Sequence, residues 1–305
     1  MSAQLTAPQT PAAAPAAEPA GRRPRRGTFG LASKALVNGL LAISAVYTLA
    51  PLAWLLIASS KNRKDLFSTS PYSVGEFHLL RNLSDLFGYD DGIYLRWLGN
   101  TVLYTVGGAF LTTVISVACG YAFDKYVFKG KEKLFGLVLV GILVPSTVLS
   151  LPLYLLASRT GLVNTYWAVL IPSLVNPFGV YLARVFSAGY VPGEVLEAAR
   201  MDGCGEVRTF ARVSLPMLAP GFVTIFLFSF TAAWNNFYSS LMMLNDQNLY
   251  PVNLGLYAWS QNTHQQPELY SLVIVGSLVA VVPLIVAFLC LQRFWRSGLT
   301  SGAVK

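Results

Sequence analysis

The chain has 305 residues, 54% of them apolar and only 12% charged, with a formal net charge of +8. That composition excludes a soluble core inside a charged shell, and the positive charge fits contact with anionic lipid headgroups better than contact with nucleic acid.

From the N-terminus, residues 1–33 are rich in Ala and Pro ahead of Arg22, Arg23, Arg25 and Arg26 and lack the apolar content to fold, so a disordered basic tail is expected. A bilayer core about 30 Å thick takes roughly 20 apolar residues as a helix. Charge-free windows of that length occur at 35–60, 97–123, 134–158, 160–183, 213–245 and 269–292. The first is too long for a signal peptide and no small-residue cleavage site follows it closely, so it is an uncleaved first helix spanning 34–60. Hydrocarbon leaves no backbone group unpaired, so the expected fold is an all-α integral membrane protein with six transmembrane helices. Its organisation is a tail, the first helix, an outer loop 61–96, a five-helix block 97–292 and a short tail 293–305.

Pro51, Pro145, Pro152, Pro172, Pro177, Pro220 and Pro283 fall in these windows, and each removes a helix hydrogen bond and invites a kink or break. Orientation follows from Lys and Arg. One side receives Arg22, Arg23, Arg25, Arg26, Lys34, Lys125, Lys129, Lys131, Lys133, Arg184, Arg200, Arg208, Arg212, Arg293, Arg296 and Lys305. The other receives Lys61, Arg63, Lys64, Arg81, Arg96 and Arg159. The richer side is the cytoplasm, and both termini are expected there. Cys119, Cys204 and Cys290 form no disulfide framework.

The chemistry of an enzyme is not written in this sequence. His78 and His264 have no metal-ligand spacing to Cys or carboxylates, so no metal site is expected. Gly130-Lys131 is followed by Glu132 instead of the Ser or Thr of a phosphate-binding loop, so no nucleotide cofactor is expected. The windows carry no ionisable residue that could couple an ion gradient, with Asp124, Lys125 and Arg184 sitting at window ends. Any uphill work must enter from a partner.

Between the fourth and fifth windows lies the long polar passage of the second half, residues 190–216. Pro192 suits a first helical position and Glu194 the positive end of the helix dipole, and Val195, Ala198, Ala199 and Asp202 share a face. Gly203 is the natural stop. Beyond it Val207, Phe210, Ala211 and Ser214 repeat the helical spacing, and Leu215-Pro216 leads into the fifth window. The expectation is two short helices braced across a sharp turn at the membrane surface, thin enough at Ala198, Ala199 and Gly203 to enter a groove, with Glu197, Arg200 and Asp202 offering charged contacts. A plain interfacial connector would show the same periodicity.

Glu197-Ala198-Ala199, three residues, Gly203, nine residues, Val213, Ser214 and Leu215-Pro216 resemble the EAA signature of ABC importer permeases. "WNNFYSSLMML" at 234–244 and "LQRFWRSGLTSGAVK" at 291–305 resemble segments of the binding-protein-dependent carbohydrate type, and of its maltose-permease G-type subunit in particular. Cys204 stands where the family often has Ala.

The resemblance implies a type I ABC importer permease fold in a bacterial or archaeal plasma membrane, without catalytic residues of its own. It also implies partners: a pair of ABC ATPase subunits, a second homologous permease and an extracytoplasmic sugar-binding protein, with membrane lipid around them. Glu197, Ala198, Ala199, Asp202 and Gly203 would dock the ATPase, Leu215 and Pro216 would set the exit angle, and Ser297 to Lys305 would touch the ATPases. Trp234, Asn235, Asn236 and Tyr238 offer aromatic faces and amides to a sugar; interhelical packing is their other reading. The outer loop 246–266 could meet the binding protein. An importer for amino acids, peptides or phosphate shares the EAA motif and is the alternative; a membrane-embedded enzyme and a non-transporting scaffold are less consistent with it.

Overall fold

A computed structural model describes the backbone of residues 31–300 and the side chains of residues 33–290. The expected disordered tail lies almost wholly outside the described residues, as do residues 301–305 and the side chains of 291–300, which include most of the C-terminal signature. The chain divides into two units between Ala50 and Pro51. Every regular element among the described residues is helical.

Helix α1, Leu31–Ser60, runs through Pro51. Its segment 33–60 has a mean hydropathy of 2.1 over its most apolar window and buries none of it, as suits a helix solvated by lipid. In the second unit α2, Arg63–Ser68, and α3, Leu79–Gly88, follow. Next, α4, Ile93–Val102, continues through a π-helical turn at Leu103–Gly107 into α5, Gly108–Lys125. The long outer loop expected over 61–96 is therefore largely helical.

Three bent pairs come next. They are α6, Lys131–Leu143, with α7, Ser146–Arg159, bent by 105°, and α8, Tyr166–Ser173, with α9, Pro177–Tyr190, bent by 40°. The third joins the surface run of α11, Glu206–Thr209, and α12, Leu215–Met217, to α13, Ala219–Trp234, at 80°; α10, Gly193–Met201, precedes it. Counting each bent pair as one crossing gives the six expected spans; the unbroken ones lie in 33–60, 79–125 and 269–290. Pro145 stands between α6 and α7, and Pro177 and Pro220 open α9 and α13, so these three of the seven prolines mark breaks. Pro51, Pro152, Pro172 and Pro283 sit inside helices.

The fifth window overruns its helix. Backbone helicity stops at Trp234, and α14, Tyr238–Met243, is a separate piece. The outer stretch 246–266 contains α15, Val252–Asn262, which buries Val252, Leu254, Leu256 and Trp259, and α16, Leu269–Thr300, completes the fold.

Two devices hold the second unit. In the membrane α5 and α9 cross closely: Ser116 and Gly120, spaced by four, face Gly179 and Ala183, also spaced by four. A Cβ on Gly120 would lie 2.6 Å from the Arg184 backbone nitrogen and 2.7 Å from the Val180 carbonyl oxygen. Small residues let the backbones approach where no hydrophobic effect draws helices together.

Elsewhere in the unit Trp97, Tyr94 and Trp259 form a buried cluster, with Trp97 4.6 Å from Trp259 between ring centroids. Trp97 Nε1 donates to the Gln247 carbonyl at 2.8 Å, and the Tyr94 hydroxyl to that of Gly276 at 2.6 Å. Asn100, 6% exposed, donates through Nδ2 to the carbonyls of Asn248 (2.8 Å) and Tyr250 (3.0 Å) and accepts from the Tyr166 hydroxyl at 3.1 Å. Replacing Asn100→Ala strands three polar groups and is expected to cost about 1–3 kcal/mol, read as a lower detergent melting temperature.

Candidate functional site

The polar passage forms a braced knuckle. Pro192, extended at ψ 147°, precedes α10 instead of opening it, and Gly193 is the first helical residue. The helix ends in a complete left-handed cap. Gly203 adopts φ +77°, its N–H donates to the Arg200 carbonyl at 3.0 Å, and the Cys204 N–H donates to the Ala199 carbonyl at 3.0 Å. That pairing satisfies carbonyls a helix end would otherwise leave open. Nothing lies within 4 Å of a Cβ built on Gly203, so its need is conformational and not steric.

Across this turn Arg200 Nε donates to Glu206 Oε1 at 2.9 Å, and the Tyr126 hydroxyl, from the end of α5, donates to Glu206 Oε2 at 3.0 Å. Both carboxylate oxygens are engaged. The bond from Arg200, then that from Tyr126, hold the Glu206 carboxyl below its ordinary range, and the Glu206 bond raises Arg200. Burial first, then the Glu206 bond, push the Tyr126 phenol up to about 12. Tyr126 follows the last residue of α5, Arg200 lies in α10 and Glu206 opens α11, all outside the crossing arm α13.

A depressed carboxyl stabilises the knuckle above its ordinary value of 4.5, and the contribution is lost as pH falls through the lower folded value. Amide exchange over residues 198–206, corrected for intrinsic rate, is therefore expected to stay constant from pH 5 to 8 and to rise only below 4.5.

The knuckle rests on the membrane helices through Leu196 and Ala199, 4% and 7% exposed, and Leu196 joins a cluster with Val117, Tyr121 and Val191. The structure divides the face expected over Val195, Ala198, Ala199 and Asp202: Ala198 and Asp202 are exposed while Ala199 is buried beside Leu196, because the large apolar side chain of Leu196 chooses which side of α10 packs inward. Ala199 is buried at 7% exposure, while Glu197, Ala198, Asp202 and Gly203 are exposed.

The second half departs from α spacing. Phe210–Ser214 is π-wound, so Phe210 packs on Tyr121 at 4.9 Å and Ser214 bonds the Tyr121 hydroxyl at 3.2 Å, while Val207 and Ala211 face outward. The exit angle is taken up at Leu218, 2% exposed, between Pro216 and Pro220, where the run bends by 80°.

Sequence reasoning did not single out Met201 and placed Val207 only by its helical spacing; the two are 88% and 83% exposed on either side of Gly203. Two large apolar side chains so exposed beside a rigid turn are what a partner surface requires. It also missed the Arg200–Glu206 pair, whose spacing of six is not a helical one and closes only because the chain turns at Gly203.

The candidate sugar contacts divide. Trp234 and Asn236 line a cavity with Thr101, Tyr104, Thr105, Ser173 and Ser240, whereas Asn235 and Tyr238 do not. Asn235 Nδ2 instead donates to the Thr231 carbonyl at 2.8 Å. The cavity holds about 10 Å³, the space of one water.

Residues 113–299 match the family model described as the binding-protein-dependent transport system inner membrane component. The arabinooligosaccharides transport system permease protein AraQ of Halalkalibacterium halodurans is 31% identical over 282 residues, 92% of this chain and 99% of that one. The maltodextrin transport system permease protein MdxG of Bacillus subtilis is 29% identical over 87% of this chain and 93% of its own length. Among solved structures, a chain of a bacterial ABC transporter involved in the import of the acidic polysaccharide alginate superposes with a TM-score of 0.76 at 18% identity, covering 87% of this chain and 98% of that one. By family match, by length and by fold, this multi-pass membrane chain belongs to the inner membrane components of binding-protein-dependent transport systems.

Proposed function

We propose that the chain is a carbohydrate-translocating permease subunit of an ABC importer, working with a second permease, a pair of ATPase subunits and an extracytoplasmic binding protein. It sits in a bacterial or archaeal plasma membrane with both termini in the cytoplasm, where the greater share of Lys and Arg falls. The observation that carries the reading is the Gly203 knuckle: the EAA residues sit on a capped, doubly bonded turn whose exposed rim is Glu197, Ala198, Met201, Asp202 and Val207.

ATPase closure pushes on this rim. The turn passes the force through Leu196 to Tyr121 on α5, and through the bend at Leu218 to α13, so the crossing helices move with the knuckle. Inverting the balance between two facings takes about 5.5 kcal/mol, and a hinge that flexed would dissipate it. The sugar class rests on the relatives, whose names give arabinooligosaccharides and maltodextrin. Trp234 and Asn236 face the pathway as positioning groups rather than as a closed pocket, which agrees with the small cavity beside them.

Reconstituted with its partners in vesicles, the protein is expected to accumulate radiolabelled oligosaccharide only when ATP and the loaded binding protein are both present. Accumulation of a labelled amino acid, peptide or phosphate, with no sugar taken up, would favour the alternative solute class.

A further inference from the structure

The segment leaving α1 on the side away from the knuckle is a pinned strap. Lys61, 3% exposed, donates through Nζ to the Ser70 carbonyl at 2.7 Å and to Thr69 Oγ1 at 3.0 Å. The His78 N–H donates to the Ser60 carbonyl at 2.7 Å, and Asn82 Nδ2 to the carbonyls of Ser59 at 2.8 Å and Lys61 at 2.9 Å. Residues 69–70, 78 and 82 are thus bonded to Ser59, Ser60 and Lys61 at the end of a membrane-crossing helix, which holds the strap close to that end. Asn62 caps α2, and the Phe67 ring lies 4.9 Å from Tyr270 at the start of α16, a second crossing helix.

Although the strap is pinned, its large apolar side chains point outward: Phe67 is 65% exposed, Tyr72 58%, Val74 77%, Phe77 69% and Leu80 76%. Water is a poor neighbour for such a row. The last turns of α1, from which the strap leaves, also carry exposed apolar side chains, Leu52 and Leu56 at 38% and 56%, within the bilayer-crossing segment. Arg63, Lys64 and Arg81 are exposed beside the row, in the place interfacial cations take next to aromatic anchors.

We infer that residues 63–80 form a monotopic interfacial plate, seating Phe67, Tyr72, Val74, Phe77 and Leu80 among the lipids of the leaflet opposite the knuckle. The plate gives the end of α1, residues 51–60, a second point of membrane contact. Arg63, Lys64 and Arg81 are nearly balanced by Asp65, Glu76 and Asp85, so attraction comes from apolar burial and depends little on lipid charge.

The test uses the full chain assembled with its partners, with Phe67→benzoylphenylalanine or Phe77→benzoylphenylalanine, aromatic replacements that preserve the fold. The complex is placed in vesicles of phosphatidylethanolamine and phosphatidylglycerol, irradiated and read by mass. Lipid adducts are expected at both positions, several-fold above a control probe at the exposed Asn262, and exchanging phosphatidylglycerol for phosphatidylcholine should change their yield less than about twofold. Adducts to another polypeptide, whether binding protein or second permease, or yields no greater than at Asn262, would overturn the inference.

Discussion

Gly203→Val is expected to cut transport about tenfold or more while the chain still inserts and assembles. The position sits at φ +77°, where a side chain costs about 1–2 kcal/mol and a β-branched one lies at the upper end. No atom lies within 4 Å of the added Cβ, so the whole penalty falls on the backbone and is relieved by relaxing the turn. Relaxation breaks the Cys204-to-Ala199 and Gly203-to-Arg200 bonds and lets Arg200 part from Glu206. The membrane helices do not depend on that turn, so insertion survives. Gly203→Asn provides the contrast, because Asn tolerates the left-handed region and should keep most of the uptake. Equal uptake by Val and Gly variants of equally assembled complexes would remove the turn from the mechanism.

The second large effect is structural. Gly120→Ala is expected to destabilise the membrane core by about 1–3 kcal/mol, and Gly120→Leu to abolish folded protein. The added Cβ meets backbone, the Arg184 nitrogen at 2.6 Å and the Val180 carbonyl oxygen at 2.7 Å, as well as the Ala183 Cβ, and none of these can swing aside. The helices α5 and α9 must separate, and with them the Ser187–Asp124 bond of 2.7 Å near the knuckle. A detergent melt unchanged by the Ala substitution would show that this crossing is not the close contact described.

Several features were legible in the residues because they are local. Six apolar windows, Gly203 as a helix stop and the prolines at 145, 177 and 220 follow from length, charge and backbone chemistry, and the structure has each. What was illegible depends on a neighbour. Leu196 could be recognised as the inward residue of α10 only with Val117 and Tyr121 in place. The π turn at Phe210–Ser214 shifts the phase that a 3.6-residue count assumes, and the approach to α15 is pinned by side chains far away in the chain, Trp97 and Asn100, which bond the Gln247 and Asn248 carbonyls. Asn235 and Tyr238 looked like equal partners of Trp234 and Asn236 along the chain, but Asn235 turns back to the Thr231 carbonyl and Tyr238 opens a separate helix, so neither lines the cavity.

The coupling role of the knuckle is tested most directly by a cysteine at Ala198, the exposed member of the Ala198–Ala199 pair, in a complex that takes up sugar. With a short bifunctional reagent, Ala198→Cys is expected to capture an ATPase subunit, in a yield that changes when ATP is bound. An assembled, active complex in which Ala198→Cys never captures an ATPase would contradict it.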